Sequence, residues 1–104
     1  LAYALWEVGR TEEALEHAER AVEIDPRFPQ AWYNRGFFLS ERGLTEDALN
    51  AFDNAIRLGM RNADILEEKA QALDELGREE EAQEAIEQAE EIRADAEEEL
   101  AEEF

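Results

Sequence analysis

The sequence predicts an all-α fold built from antiparallel helix hairpins that repeat every 34 residues. Identical residues recur at this interval, which is the usual sign of a repeat architecture. Each interval contains two stretches with apolar residues at helical spacing. Glycine, proline or asparagine separates these stretches, and no stretch carries the signals of a β-strand.

Six sets of identical residues define the repeat, and each set has one member in each of three copies. The sets are Gly9, Gly43 and Gly77; Leu5, Leu39 and Leu73; Glu7, Glu41 and Glu75; Glu12, Glu46 and Glu80; Ala14, Ala48 and Ala82; and Ala21, Ala55 and Ala89. Chance does not produce such agreement at one fixed offset. The loops within each copy are a few residues long, so neighbouring helices are expected to run antiparallel.

The middle copy, residues 29–62, shows how each hairpin is delimited. Pro29 lies in the first helical turn, where proline is tolerated, and Gly43 ends the first helix. The second helix begins two residues later with acidic side chains in its first turn, and Gly59 ends it. Asn62 is a candidate N-cap for the helix that follows.

The predicted organisation is a single domain in which the chain starts within the first helix of its first hairpin. Its parts are an incomplete repeat at 1–28, a full repeat at 29–62, a third repeat at 63–96 and an extension of the last helix at 97–104. That last helix has a glutamate-rich outer face, as a terminal capping element requires. Its apolar stripe consists of Ala82, Ala85, Ile86, Ala89, Ile92, Ala96, Leu100 and Phe104.

This pattern resembles the tetratricopeptide repeat (TPR) family over nearly the whole chain. The family signature reads W-x2-L-G-x2-Y, then A-x3-F, then a proline, over about 34 residues. The matching residues are Trp32, Gly36, Ala48 and Phe52, with Leu39 in the tyrosine position, whereas Arg35 and Met60 depart from the pattern. The resemblance implies a TPR-like α-solenoid with a long C-terminal capping helix, acting as a non-catalytic protein–protein interaction scaffold.

In this family, the first helices of the hairpins line a concave face that binds peptides. The resemblance places on that face Tyr3, Trp6, Tyr33, Asn34, Phe37, Glu41, Gln71 and Asp74, and it assigns Trp32, Phe38, Leu39 and Phe52 to packing positions. The alternative for Tyr33 and Phe37 is packing against neighbouring helices. A face that is aromatic at one end and acidic at the other favours a basic, partly apolar peptide.

One kind of family ligand is disfavoured by the sequence. Family members that hold the C-terminal carboxylates of chaperones use a central asparagine flanked by lysine and arginine. Asn34 occupies the asparagine position, but Asp64 and Glu68 stand at the basic positions of the next repeat. Acids there would repel a carboxylate. We therefore expect Asn34 to hydrogen-bond a neighbouring helix or the backbone of a ligand.

The charge of the chain excludes several partners. The net charge is −19, and residues 63–104 alone hold eighteen acids and three bases. Nucleic acids and anionic membranes are therefore not expected as partners. The acid-rich, lysine-poor composition suits a protein of a high-salt environment, and an ordinary acidic protein is the alternative. No apolar run approaches the length of a membrane helix and no signal peptide is visible, so we expect a cytoplasmic location.

Catalysis and cofactor binding find little support in the sequence. The only histidine, His17, falls on the second helix of its hairpin, away from the predicted groove, and Ser40 has no histidine near it. A row of glutamates on the last helix could attract cations, but it lacks the carbonyl and amide ligands that complete a metal site. We expect no enzyme activity, no cofactor and no metal site.

A structural role is the rival hypothesis. The incomplete first hairpin and the overhanging last helix would then meet other copies of the chain. Leu100 and Phe104 extend the apolar stripe beyond the third repeat, which favours a weak homodimer through this helix. The high negative charge opposes such association at low salt.

Overall fold

The computed structural model describes the backbone of residues 2–103 and the side chains of residues 9–102. This part of the chain forms five α-helices and no strand. They are α1 (Ala2–Ile24), α2 (Pro29–Glu41), α3 (Thr45–Arg57), α4 (Ala63–Glu75) and α5 (Glu79–Glu103). The chain divides into two compact units, Leu1–Met60 and Arg61–Phe104. In the first unit α2 packs against α1 and α3, and in the second α4 packs against α5.

The helices end where the sequence predicts, because glycine there adopts a left-handed conformation. Gly43 has φ of 78° and Gly77 has φ of 77°. The amide of the residue after each glycine donates to a carbonyl five residues earlier, Leu44 to Leu39 at 3.0 Å and Arg78 to Leu73 at 2.8 Å. These bonds satisfy the last carbonyls of α2 and α4 and turn the chain into the next helix.

The start of α4 also follows the prediction. The Asn62 side chain accepts a hydrogen bond from the amide of Ile65 at 2.9 Å, so Asn62 is the N-cap of α4. Helices α2 and α4 begin at residues 29 and 63, one 34-residue period apart. The predicted fold of antiparallel helix hairpins with a long last helix is therefore confirmed.

The first repeat differs from the predicted hairpin. Helix α1 is continuous from Ala2 to Ile24, and Gly9 lies inside it without a positive φ. The residues before Gly9 amount to about two helical turns. A helix that continues through Gly9 keeps its backbone hydrogen bonds unbroken at this point.

Small side chains allow the helices of each hairpin to approach closely. Gly36 of α2 faces Phe52 of α3, whose side chain is only 1% exposed. A Cβ atom at Gly36 would lie 2.7 Å from two carbons of the Phe52 ring, so any larger residue there would overlap with the ring unless it moved. In the second unit, Ala70 of α4 occupies the position one period after Gly36 and is buried at 4% exposure.

The predicted packing residues are buried to different degrees. Leu39 is 3% exposed and Phe52 is 1% exposed, so both lie in the core as expected. Trp32 and Phe38 are only half-buried. The indole of Trp32 donates a hydrogen bond to the Pro26 carbonyl at 2.8 Å, which ties α2 to the loop before it. Because its indole N–H bonds to a carbonyl of this exposed loop, Trp32 keeps one edge of its ring near solvent.

Candidate functional site

The aromatic part of the predicted site lies on α2, within the first unit. Phe37 is 39% exposed, and its ring meets that of Phe38 edge to face with centroids 5.3 Å apart. Tyr33 is half-buried, and its ring centroid lies 6.0 Å from that of Phe52. Phe37 is therefore accessible to a partner, while Tyr33 contributes to the packing of α2 against α3 as well.

Two polar side chains flank Phe37 on α2. The Asn34 side chain is exposed, and its Oδ1 accepts a hydrogen bond from Nε2 of Gln30 at 2.9 Å. This bond uses only the oxygen of the Asn34 side chain, so its NH₂ group is able to donate to a peptide carbonyl. Glu41, one turn after Phe37, is exposed too. We call Tyr33, Asn34, Phe37 and Glu41 the α2 face.

The other described members of the predicted site lie in the second unit. Gln71 and Asp74 are exposed on α4, and both line a cavity of about 580 Å³ between α4 and α5. Its remaining lining residues are Glu67, Ala70, Glu79, Ala82, Gln83 and Ile86. We call this cavity the α4–α5 groove. The side chains of Tyr3 and Trp6 lie outside the described residues.

An arginine of α5 bonds to Glu67, one of the residues that line the α4–α5 groove. Arg93 of α5 donates a hydrogen bond from Nη1 to Oε1 of Glu67, and its Nη2 lies 3.8 Å from Oδ1 of Asp64. The hydrogen bond from Arg93 lowers the pKa of Glu67 and raises that of Arg93 in turn. Both side chains are well exposed, so this bridge between α4 and α5 is screened by solvent.

Buried polar side chains and clusters suited to a metal ion are absent from the described residues. No polar or charged side chain among residues 9–102 is buried, and no group of three or more His, Cys, Asp or Glu in that range is placed to hold a metal ion. His17 and Ser40 are both exposed, on α1 and α2. In the same part of the chain, no helix combines the length and apolar character of a membrane span.

The sequence pattern did not predict that α5 contributes to this site. It assigned Gln71 and Asp74 to a face of α4, whereas the structure shows them on one wall of a groove whose other wall is α5. The signal was present in the 34-residue register. Ile86 stands one period after the bulky Phe52, and a smaller side chain at that position leaves space between the helices.

Helix hairpins with a 34-residue period define the chain as a helical repeat protein. Three tetratricopeptide repeat family models match it, over residues 1–28, 17–50 and 39–98. The chain therefore belongs to the tetratricopeptide repeat family, as its sequence pattern predicts. No curated protein sequence matches it significantly.

Solved structures with the same fold include several repeat proteins. MamA of MSR-1 superposes with a TM-score of 0.77 and 20% identity, over 86% of this chain and 52% of that one. YrrB, described as a TPR protein with an unusual peptide-binding site, gives 0.76 and 27% identity, over 88% and 47%. The second TPR of Spaghetti (RPAP3), bound to the HSP90 peptide SRMEEVD, gives 0.76 and 21%, over 86% and 83%. This chain spans about half the length of the MamA and YrrB chains.

Proposed function

We propose that this chain is a protein-interaction scaffold that binds a basic, partly apolar peptide segment of another protein. The carrying observation is the exposed Phe37 ring beside the Asn34 amide on α2. An accessible aromatic ring supplies apolar contact area, and a neighbouring amide fixes the direction of a peptide backbone. This combination suits an extended peptide better than a small molecule or a flat surface.

The charge of the second unit determines which peptide is favoured. Exposed Asp64, Glu67 and Asp74 lie along α4, and residues 63–104 carry a net charge of −15. Lysine and arginine side chains of a peptide would gain attraction and faster association from this field. An acidic peptide would be repelled.

The structural relatives support peptide binding as the general role. YrrB is described with a peptide-binding site, and the RPAP3 domain holds a peptide that ends in Glu-Glu-Val-Asp. The acids on α4 argue against the same acidic ligand here and in favour of a basic one. The family therefore supports the binding role, and this chain's own acidic residues support a basic ligand.

A random 12-residue peptide library displayed on phage tests the proposal. We expect the selected peptides to combine lysine or arginine with aromatic or aliphatic residues. Fluorescence anisotropy of one enriched peptide should then show that Phe37→Ala weakens binding by about 2 kcal/mol or more, the range of an interface hot spot. Phe28→Ala is the matched control, since Phe28 is 53% exposed in the loop before α2. Equal losses in both variants, or selection of acidic peptides, would contradict the proposal.

Self-association through α5 is the second candidate. Leu100 is 57% exposed on α5, and an apolar side chain of this size favours contact with another copy. Sedimentation velocity of the intact chain and of a version ending at Asp95 tests it at high protein and high salt. A dimer of the intact chain that the shorter version lacks would support this candidate. Two monomers would rule it out.

A further inference from the structure

Two large apolar side chains are exposed where α1 ends and α2 begins. Ile24, the last residue of α1, is 83% exposed, and Phe28, the residue before α2, is 53% exposed. The loop between them is tight, because the amide of Phe28 donates a hydrogen bond to the Asp25 carbonyl at 3.2 Å. Both side chains therefore lie at the same end of the α1–α2 pair. Neither belongs to the α2 face, so peptide binding through Phe37 gives them no role.

An aromatic and cationic pair on α2 continues this surface. The indole of Trp32 is bonded to the loop through the Pro26 carbonyl, and the Arg35 guanidinium lies 5.5 Å from the centre of the Trp32 ring. Arg35 stands where the family pattern has leucine, and its Nε is buried without a hydrogen-bond partner. Within the described part of the chain, no acid pairs with this cation. The ring holds the charge in place without neutralising it.

The charge around these residues differs from that of the rest of the chain. Residues 20–40 hold three arginines and two acids, a net charge of +1, whereas residues 63–104 carry −15. Arg27 is exposed, and its side chain has no ion pair among the described residues. We call Ile24, Arg27, Phe28, Trp32 and Arg35 the α1–α2 edge. Cations beside exposed apolar side chains favour a partner that has acids beside an apolar side chain.

The far end of α5 has this complementary character. Helix α5 has 25 residues and α4 has 13, so α5 is about 18 Å longer than the helix against which it packs. Residues 94–102 are all exposed, and we call this segment the α5 overhang. It contains five acids and no base, and none of these acids has an ion pair within the described part of the chain. Leu100, 57% exposed, is its large apolar side chain.

We propose that the α1–α2 edge of one copy of the chain binds the α5 overhang of a second copy. In this contact Leu100 lies against Ile24 and Phe28, and the acids of the overhang face Arg27 and Arg35. The inference rests on the second candidate function, self-association through α5, and names the surface that receives α5. It requires no residue of the α2 face.

The geometry of such a contact limits the size and strength of the assembly. The two surfaces differ, so the contact is heterologous, and a dimer retains one unoccupied edge and one unoccupied overhang. Further growth is opposed, because every added copy brings a net charge of −19. A nine-residue helical segment is about 14 Å long, which is short for the roughly 1,200–2,000 Å² that stable interfaces bury. We therefore expect a dissociation constant on the order of 10–100 μM.

Two substitutions in the intact chain test the proposal by complementation. Phe28→Asp alters the α1–α2 edge and leaves the overhang intact, whereas Leu100→Asp alters the overhang and leaves the edge intact. Both side chains are more than half exposed, so neither change threatens folding, which circular dichroism checks. Each variant alone should associate at least about tenfold more weakly than the unmodified chain, because a charge enters the apolar contact. An equimolar mixture should form a dimer of one copy of each and nothing larger, since only one compatible pair of surfaces remains.

Sedimentation equilibrium at several hundred micromolar protein and about 0.15 M salt measures these states. At this salt concentration charges more than about 8 Å apart are largely screened, so the contact itself determines association. Leu44→Asp is the matched control, because Leu44 is 44% exposed in the turn between α2 and α3 and should have no effect. Arg27→Glu should weaken association about fivefold, whereas Arg78→Glu, in the turn between α4 and α5, should change it less than about twofold.

The outcomes separate this inference from the functions proposed above. A Phe28→Asp variant that associates like the unmodified chain would mean that α5 meets another surface, such as α5 of its partner. That result would overturn the inference and leave self-association standing. A mixture of the Phe28→Asp and Leu100→Asp variants that stays monomeric would overturn the inference as well. An unmodified chain that stays monomeric would overturn both, while peptide binding through Phe37 is measured independently of either.

Discussion

Replacing Gly36 with alanine tests a close contact between α2 and α3. The new Cβ would lie 2.7 Å from two carbons of the Phe52 ring and 3.2 Å from the Ala48 carbonyl oxygen. Carbon atoms prefer separations of about 3.5–4.0 Å, so the ring or a helix must move by roughly 0.8 Å or more. Phe52 is 1% exposed and Ala48 is fully buried, so a shift of either one would disturb the packing around it.

The size of the effect follows from two opposing contributions. Overpacking a core in this way costs about 1–3 kcal/mol, and the rigid neighbours place Gly36→Ala in the upper part of that range. Alanine also favours the helix over glycine by about 1 kcal/mol. We therefore predict a net loss of about 1–2 kcal/mol in the free energy of unfolding. For a chain of this size the loss corresponds to a fall of roughly 5–15 °C in melting temperature.

Circular dichroism during thermal and urea unfolding measures this loss, and Gly9→Ala is the control. Gly9 lies inside α1, and an added Cβ would meet no atom within 4 Å, so the same chemical change should stabilise the chain by about 0.5–1 kcal/mol. Combining Gly36→Ala with Phe52→Leu should recover part of the loss, because the smaller side chain relieves the overlap. A Gly36→Ala variant that gains stability as Gly9→Ala does would refute the packing described for α2 and α3.

Three further predictions concern the turns and the charges. Gly43→Val should destabilise the chain by more than about 1 kcal/mol in urea unfolding, since φ at Gly43 is 78° and a β-branched residue is strained there. Added salt should raise the melting temperature, because it screens the repulsion within residues 63–104. Arg93→Ala should raise the pKa of Glu67 towards its ordinary value of 4.5, measured by NMR titration. Because the folded-state pKa of Glu67 is lowered, its stabilising contribution is present above pH 4.5 and is lost as the pH falls through the folded value.

Each of these has a result that would count against it. A Gly43→Val variant as stable as Gly43→Ala would mean that the turn relaxes without strain. A melting temperature that stays flat between low and molar salt would remove charge repulsion as a factor, along with the basis for a high-salt environment. An unchanged pKa of Glu67 after Arg93→Ala would show that the bridge is not formed in solution.

Local chemistry made the second and third repeats predictable. Gly43, Gly77 and Asn62 act on a few neighbouring backbone groups, so their effects depend little on the rest of the fold. Gly9 behaves differently, although it belongs to the same set of identical residues. Glycine is compatible with both a turn and a helix interior, and only packing against another helix selects between them. The presence of glycine at position 9 therefore did not predict that α1 is continuous.

The candidate site was predicted only in part, for a related reason. The family pattern indicates which positions of α2 and α4 face outwards, and the structure finds Asn34, Phe37, Gln71 and Asp74 exposed. The pattern does not state how far a ring such as Tyr33 inserts between helices, because that depends on the volume of its neighbours. The α4–α5 groove likewise arises from side chains that are smaller than those one period earlier, a property of pairs of residues rather than of single positions.

Chemical-shift mapping of the ¹⁵N-labelled chain during titration with a selected basic peptide tests the central claim most directly. If the chain is a scaffold that binds such peptides through the α2 face, the largest shifts should occur at the amides around Asn34, Phe37 and Glu41. The amides of α3, on the opposite side of the α2–α3 hairpin, should change little. Shifts spread evenly over the glutamate-rich end of α5, with none on α2, would contradict the account, because they would reduce the interaction to unspecific charge attraction.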